Sequence, residues 1–184
     1  MRLSAADQQR LIELAWASIR HGLAQGGPLA TLEPLSPALR EPGASFVTLE
    51  LDGALRGCIG SLQAHRPLAE DVAHNAYAAA FHDSRFTPLQ QQELTALGLQ
   101  VSVLSPAEEI QCKDEADLLR QLKPGEDGII LEEGVHRATF LPQVWDQLPS
   151  PAAFLAHLKN KAGLPQDYWS NRLRIQRYRV EKFG

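Results

Sequence analysis

The sequence predicts an α+β fold: a mixed or antiparallel sheet with flanking helices, in one domain over residues 1–184 that divides at most into two lobes. Three observations predict it. Residues 5–23 carry apolar side chains at helical spacing. Two β-favouring runs flank Asp52-Gly53, the strongest short hairpin signal, and a second pair flanks Glu133-Gly134. Residues 97–104 alternate apolar and polar, as a half-buried strand does.

Each element has a local cause. Ser4, with Asp7 in the first turn, is an N-cap pattern, and Leu11, Leu14, Ala15 and Ile19 form the inward stripe of the first helix. The breakers between Gly26 and Gly43 make a long loop. Pro67 suits the first position of a helix that runs to about His82, with Leu68, Val72, Ala76 and Ala79 facing inward. Thr87-Pro88-Leu89-Gln90 matches a capping box opening a short helix through Leu94. Asp114–Leu122 and Pro142–Gln147 suit short helices. Ser150-Pro151 starts a helix that Gly163 closes. Arg172–Phe183 reads as one strand whose two apolar phases require a bulge.

Composition narrows the function. The 184 residues suit one domain, and the net charge of −4 argues against a dedicated nucleic-acid binder. Arg172, Arg174, Arg177, Arg179 and Lys182 near Tyr168, Trp169 and Tyr178 form one basic-aromatic cluster, more simply a solvated strand face than a nucleic-acid contact. Cys58 and Cys112 are the only cysteines, too few for a secreted disulfide scaffold. With neither a signal-peptide pattern nor a run of about 20 apolar residues, the expected location is the cytoplasm. The six histidines lack metal-ligand spacing, and phosphate-loop and nucleophile-elbow patterns are missing, so no metal site is expected and no cofactor is indicated.

The chemistry concentrates in Leu55-Arg56-Gly57-Cys58-Ile59-Gly60. With a two-residue loop, Leu49 pairs with Arg56 and Val47 with Cys58, so the guanidinium and the thiol share a face, about 6–7 Å apart at the backbone. There Arg56 would favour the Cys58 thiolate, or both would grip a small anionic ligand. Gly57 and Gly60 weaken a strand unless a ligand or a crossing chain must come close. A buried, inert thiol and a solvated arginine are the competing readings. His65, just before a new helix start, could add to an anion site, although a surface role is the simpler one. Arg85 either pairs with Asp83 or reaches the hexapeptide, and Thr139 alternates outward toward a cleft.

The hexapeptide resembles the hallmark of the AMMECR-one domain family. Residues 75–81, 83–89, 101–104, 138–145 and 161–164 are similar to that family's other blocks, in order. The resemblance covers nearly the whole chain and suggests a stand-alone bacterial member. It implies an α+β fold with the hexapeptide in or near a cleft. It implies no reaction, so whether the chain is an enzyme stays open. It also implies a shared pathway or complex with a Memo-type or radical-SAM protein. Two functions therefore compete. One is an enzyme or small-molecule binder, with Cys58 and Arg56 as candidate catalytic groups and Arg56, Gly57, Gly60, His65, Arg85 and Thr139 as candidate ligand contacts. The other is a non-enzymatic partner-binding module. Nucleic-acid binding ranks behind both.

Overall fold

A computed structural model describes residues 2–184. The order is α1 (Ala5–Gln25), α2 (Pro37–Arg40), β1 (Pro42–Leu51), β2 (Ala54–Gly60), β3 (Arg66–Pro67), α3 (Leu68–Phe81), β4 (Leu97–Leu104), β5 (Glu108–Glu109), α4 (Glu115–Gln121), β6 (Gly128–Glu133), β7 (His136–Phe140), α5 (Pro151–Lys161), β8 (Arg174–Tyr178) and β9 (Val180–Phe183). Single 3-10 turns cover Gln91–Glu93 and Pro142–Asp146. The architecture is α+β with two antiparallel sheets. It forms two compact units, one reaching to Leu104 and including Glu181–Gly184, the other Ser105–Val180.

The first unit is a sheet in the order β2-β1-β4-β9, with β3 added beside β1. Its inner face is covered by helices. In α1 the Ser4 hydroxyl accepts from the Asp7 N–H at 3.1 Å and starts the helix. Leu11, Leu14, Ala15 and Ile19 are fully buried, the larger ones contributing about 2–3 kcal/mol each. Ala69, Val72, Ala76 and Ala79 of α3 pack against Val47, Leu49 and Val101 of the sheet. Small side chains at those positions let the helix lie close to the strands.

A polar cluster joins β1 to α3. One Asp71 carboxylate oxygen accepts from the Ser45 N–H (2.9 Å), the Ser45 hydroxyl (2.6 Å) and the Asn75 amide (3.0 Å). The Ser45 carbonyl accepts from Asn75 and from the Ser61 N–H just beyond β2. Burial pushes the Asp71 carboxyl up, and Arg66, 3.5 Å away, opposes that.

In the second unit the sheet order is β5-β8-β6-β7. Phe154, Leu155 and Leu158 of α5 pack with Ile129, Leu131, Trp145 and Ile175, and Trp145 stacks on Phe154 at 3.8 Å between centroids. Lys159 is fully buried and donates to Glu115 at 2.6 Å, which satisfies a charge that would otherwise be costly.

Two sequence expectations need correction. The capping box lies three residues later than expected: the Glu93 carboxylate takes the Gln90 N–H, and Gln90, not Thr87, is the cap. The tail is two strands rather than one bulged strand. At Arg179 the chain leaves the second sheet, where β8 pairs β6, and joins the first, where β9 borders β4; the change of apolar phase is a change of sheet. The C-terminal cations are ion-paired: Arg172 with Glu133, Arg174 with Glu109, Arg177 with Asp127, and Arg179 with Glu126 and Asp127. Four of the five cations in the basic-aromatic cluster are thus matched by carboxylates.

Candidate functional site around the Cys58 hairpin

The β1–β2 turn is the two-residue loop the sequence predicts. Asp52 and Gly53 both take positive φ, 53° and 79°, and Leu51 pairs with Ala54. Beyond Glu50–Leu55 the register shifts. Arg56 is the extra residue of a β-bulge, so Leu49 pairs with Gly57, Thr48 with Cys58 and Val47 with Ile59. This corrects the expected Leu49–Arg56 and Val47–Cys58 pairs. Cys58 joins the face of Thr48, not that of Val47 and Leu49, because one inserted residue reverses parity.

Arg56 is buried and points into the 87–93 segment. Its Nε donates to Glu93 at 2.8 Å, and one terminal nitrogen donates to the Thr87 carbonyl at 2.8 Å and to Glu93 at 3.2 Å. The guanidinium holds the Glu93 carboxyl below its ordinary range. The other terminal nitrogen is buried with no hydrogen-bond acceptor. Arg56 therefore serves Glu93 and Thr87, and the expectation that it activates Cys58 or grips an anion is not met.

The two glycines are explained by crossing chain rather than by a ligand. A Cβ on Gly57 would run into the Ala79 carbonyl of α3, and one on Gly60 into the Phe46 ring and the Ser45 carbonyl. Helix and ring already fill the room that the expectation reserved for a ligand. His65 is exposed, and its position beside a helix start adds nothing to Arg56, which is committed elsewhere. Thr139 lies on β7 of the second unit. Its hydroxyl donates to the Ile129 carbonyl at 2.8 Å and shares a hydrogen bond with Tyr178 at 3.0 Å, so it is tied into its own sheet rather than turned to a ligand.

Around the thiol another group takes the place expected of Arg56. Cys58 is half-buried, and its sulfur shares a hydrogen bond with the Thr48 hydroxyl at 3.3 Å. Its backbone N–H donates to Asp83 at 3.0 Å. Arg85 grips the same carboxylate through Nε (3.0 Å) and Nη2 (2.7 Å), and Nη2 also reaches the Cys58 carbonyl at 3.4 Å. Both readings of Arg85 hold together: it pairs with Asp83 and it reaches the hexapeptide. Its fork holds the Asp83 carboxyl far below the usual carboxylate range, with the Cys58 and Arg85 N–H groups adding to the effect. Asp83 in turn raises the Arg85 guanidinium, through its hydrogen bond first and its charge second. The cation that reaches Cys58 is thus Arg85, through the backbone carbonyl, with 55% of its side chain exposed.

Arg56 and Arg85 lie within 5.9 and 5.5 Å of the Phe86 ring centre, so Phe86 separates the two guanidinium systems by packing against both. Sequence reasoning missed Thr48, Glu93 and the Asp83–Cys58 contact. The Gln90–Glu93 spacing was available as a signal for Glu93. Nothing local marks Thr48, which faces the thiol only because of the bulge. Among the described residues, no group of three or more His, Cys, Asp and Glu is placed to hold a metal ion, and no helix is long and apolar enough to cross a membrane.

Fold and site together define an α+β protein whose first sheet carries a thiol on a bulged edge hairpin, with an aspartate–arginine clasp beside it. The AMMECR1 family model matches residues 12–183, and the chain belongs to that family. A Saccharolobus islandicus protein is 45% identical over 154 residues, covering 78% of this chain and 66% of its own length. The chain thus spans just under two thirds of that relative. A Thermofilum pendens protein is 35% identical, covering 99% of this chain and 91% of its own. A Methanothermobacter thermautotrophicus protein is 34% identical, with coverages of 98% and 95%. The crystal structure of an uncharacterized protein from Pyrococcus horikoshii superposes with a TM-score of 0.84 at 33% identity, covering 99% of this chain and 93% of that one. All four relatives are archaeal, which lends no support to the expectation of a bacterial member.

Proposed function

We propose that the chain binds, and through the Cys58 thiol reacts with, a small molecule on the outer face of the β1–β2 hairpin. One observation carries this reading: Arg85 is fixed beside Cys58 by Asp83 while more than half of its side chain remains in solvent. The thiolate is the nucleophilic form of cysteine, and a neighbouring cation can hold the negative charge of a reagent that meets it. Thr48 supplies a hydroxyl on the same face. The hexapeptide as a whole is not the ligand cradle in this reading; Arg56, Gly57 and Gly60 build the support on which Cys58 is presented. Two free cysteines suit a reducing compartment, and we place the protein in the cytoplasm on that ground.

Iodoacetamide alkylation in a Cys112→Ser background tests the reading. Cys58 should react in the folded protein at neutral pH, and Arg85→Gln should slow the reaction several-fold while the melting temperature stays near normal. A Cys58 that reacts only in denaturant, or a rate indifferent to Arg85→Gln, would remove it.

A second reading is a docking module for a protein partner, of the Memo or radical-SAM type that the family resemblance suggested. It is favoured by Leu55, which precedes the bulge and is one of two large apolar side chains exposed among the described residues, at 43%. Leu55→Asp should then abolish recovery of such a partner in a pull-down and leave Cys58 alkylation unchanged.

A further inference from the structure

The Cys58 amide and the Arg85 fork converge on one oxygen. Asp83 Oδ2 accepts from the Cys58 N–H at 3.0 Å and from Arg85 Nη2 at 2.7 Å. Asp83 Oδ1 accepts from Arg85 Nε at 3.0 Å and from the Arg85 N–H at 3.1 Å. A guanidinium fork with a backbone N–H beside it is a constellation that recognises carboxylates. Here it stands next to a thiol and is filled by a carboxylate of the chain itself. We propose that the Cys58 N–H and Arg85 form a carboxylate seat, that Asp83 occupies it as an internal plug, and that a carboxylate-bearing ligand exchanges with Asp83 to lie against the Cys58 sulfur.

This inference rests on the Cys58 reading above and adds a ligand class and a built-in competitor to it. Three features support it. Arg85 is the only cation paired with Asp83 among the described residues, and it is the exposed member of the pair. More than half of the Arg85 side chain is in solvent, so an incoming carboxylate can reach the guanidinium. Asp83 sits in the short polar run His82-Asp83-Ser84-Arg85 just after α3 ends, outside the helix ladder, where a change of position breaks few backbone bonds. The seat also explains why Arg85 reaches the Cys58 carbonyl as well as the carboxylate: the fork spans the donor and acceptor of one edge residue. Because the plug is tethered, its effective concentration is high, and a simple carboxylate should bind poorly until the plug is removed.

The probe is a reagent pair that differs by one carboxylate, iodoacetate and iodoacetamide, again in the Cys112→Ser background. In both cases the Cys58 thiolate attacks the methylene carbon, an S–C bond forms, the C–I bond breaks and iodide leaves with the electron pair. For Asp83→Ala the ratio of iodoacetate to iodoacetamide rates should rise about fivefold or more, the effect of one charge at contact distance in a solvent-rich setting. It should fall back in Asp83→Ala/Arg85→Gln. Asp83→Asn, which keeps an acceptor for the Cys58 N–H, gives the same reading should the alanine variant not fold. A ratio unchanged in Asp83→Ala or Asp83→Asn overturns the plug while leaving the Cys58 reading intact. A wild-type Cys58 that iodoacetamide cannot reach overturns both.

Discussion

At the scale of single residues, the hexapeptide divides into supports and a presented group. Gly57 is a support because the Ala79 carbonyl leaves no room for a methyl. Gly57→Ala should cost about 3 kcal/mol by forcing helix and strand apart, read as a lowered denaturant midpoint with an unchanged slope. Arg56 is a support because its buried charge has one carboxylate partner, Glu93. Glu93→Ala should cost about 2–4 kcal/mol, since it strands a buried guanidinium that already has one nitrogen without an acceptor. A loss under 1 kcal/mol in chemical denaturation would show that the pair is idle. Cys58→Ser, by contrast, should melt near the parent temperature, because the half-buried sulfur has one side-chain polar partner, Thr48, which serine can also serve.

At the scale of elements, α1, the β1–β2 turn and β4 were legible because cap, turn residue and apolar period agree at each of them. The bulge was not, because a bulge adds one residue without changing the composition around it. Asp52-Gly53 specified the loop correctly, and the parity argument then failed four residues later at Arg56. Asp83 and Arg85 were visible as a pair, but which strand edge they would cover depends on how α3 ends. Asp71 is the element-scale lock between β1 and α3, and it carries a sign. Burial raises its carboxyl above the unfolded value, so its contribution is fully present below the unfolded pKa and is lost as pH rises through the folded one. The charged groups facing it are Arg66, which favours ionisation, and His74, which burial holds down. Asp71→Asn should therefore flatten the pH dependence of stability above the ordinary aspartate range. A melting-temperature profile identical in shape to the parent's would contradict this.

For the whole molecule the opposite sign dominates in strong acid. Asp83, Glu93, Asp7, Asp117 and Glu126 are all held low, chiefly by hydrogen bonds to Arg85, Arg56, Ser36, the Lys113 N–H and Arg179 respectively. A depressed carboxyl contributes stability above its unfolded pKa and loses it as pH falls through the folded value. Stability should therefore decline steeply below about pH 4, where these carboxylates begin to take up protons. The steepest loss should come latest at Asp83, the most depressed of them. Proton titration of the carboxylates by NMR would check both the order and the sign. A net charge of −4 and arginines committed to Glu109, Asp127 and Glu133 also predict no retention on DNA at low salt.

The inserted residue at Arg56 works as a phase shifter. Upstream and downstream of it the same strand looks in different directions, so one short run of chain both anchors a helix and displays a sulfur atom. Removing Arg56 outright would not merely delete a charge. It would slide Cys58 inward by one step and swap which of its neighbours meet water, trading display for burial in a single edit.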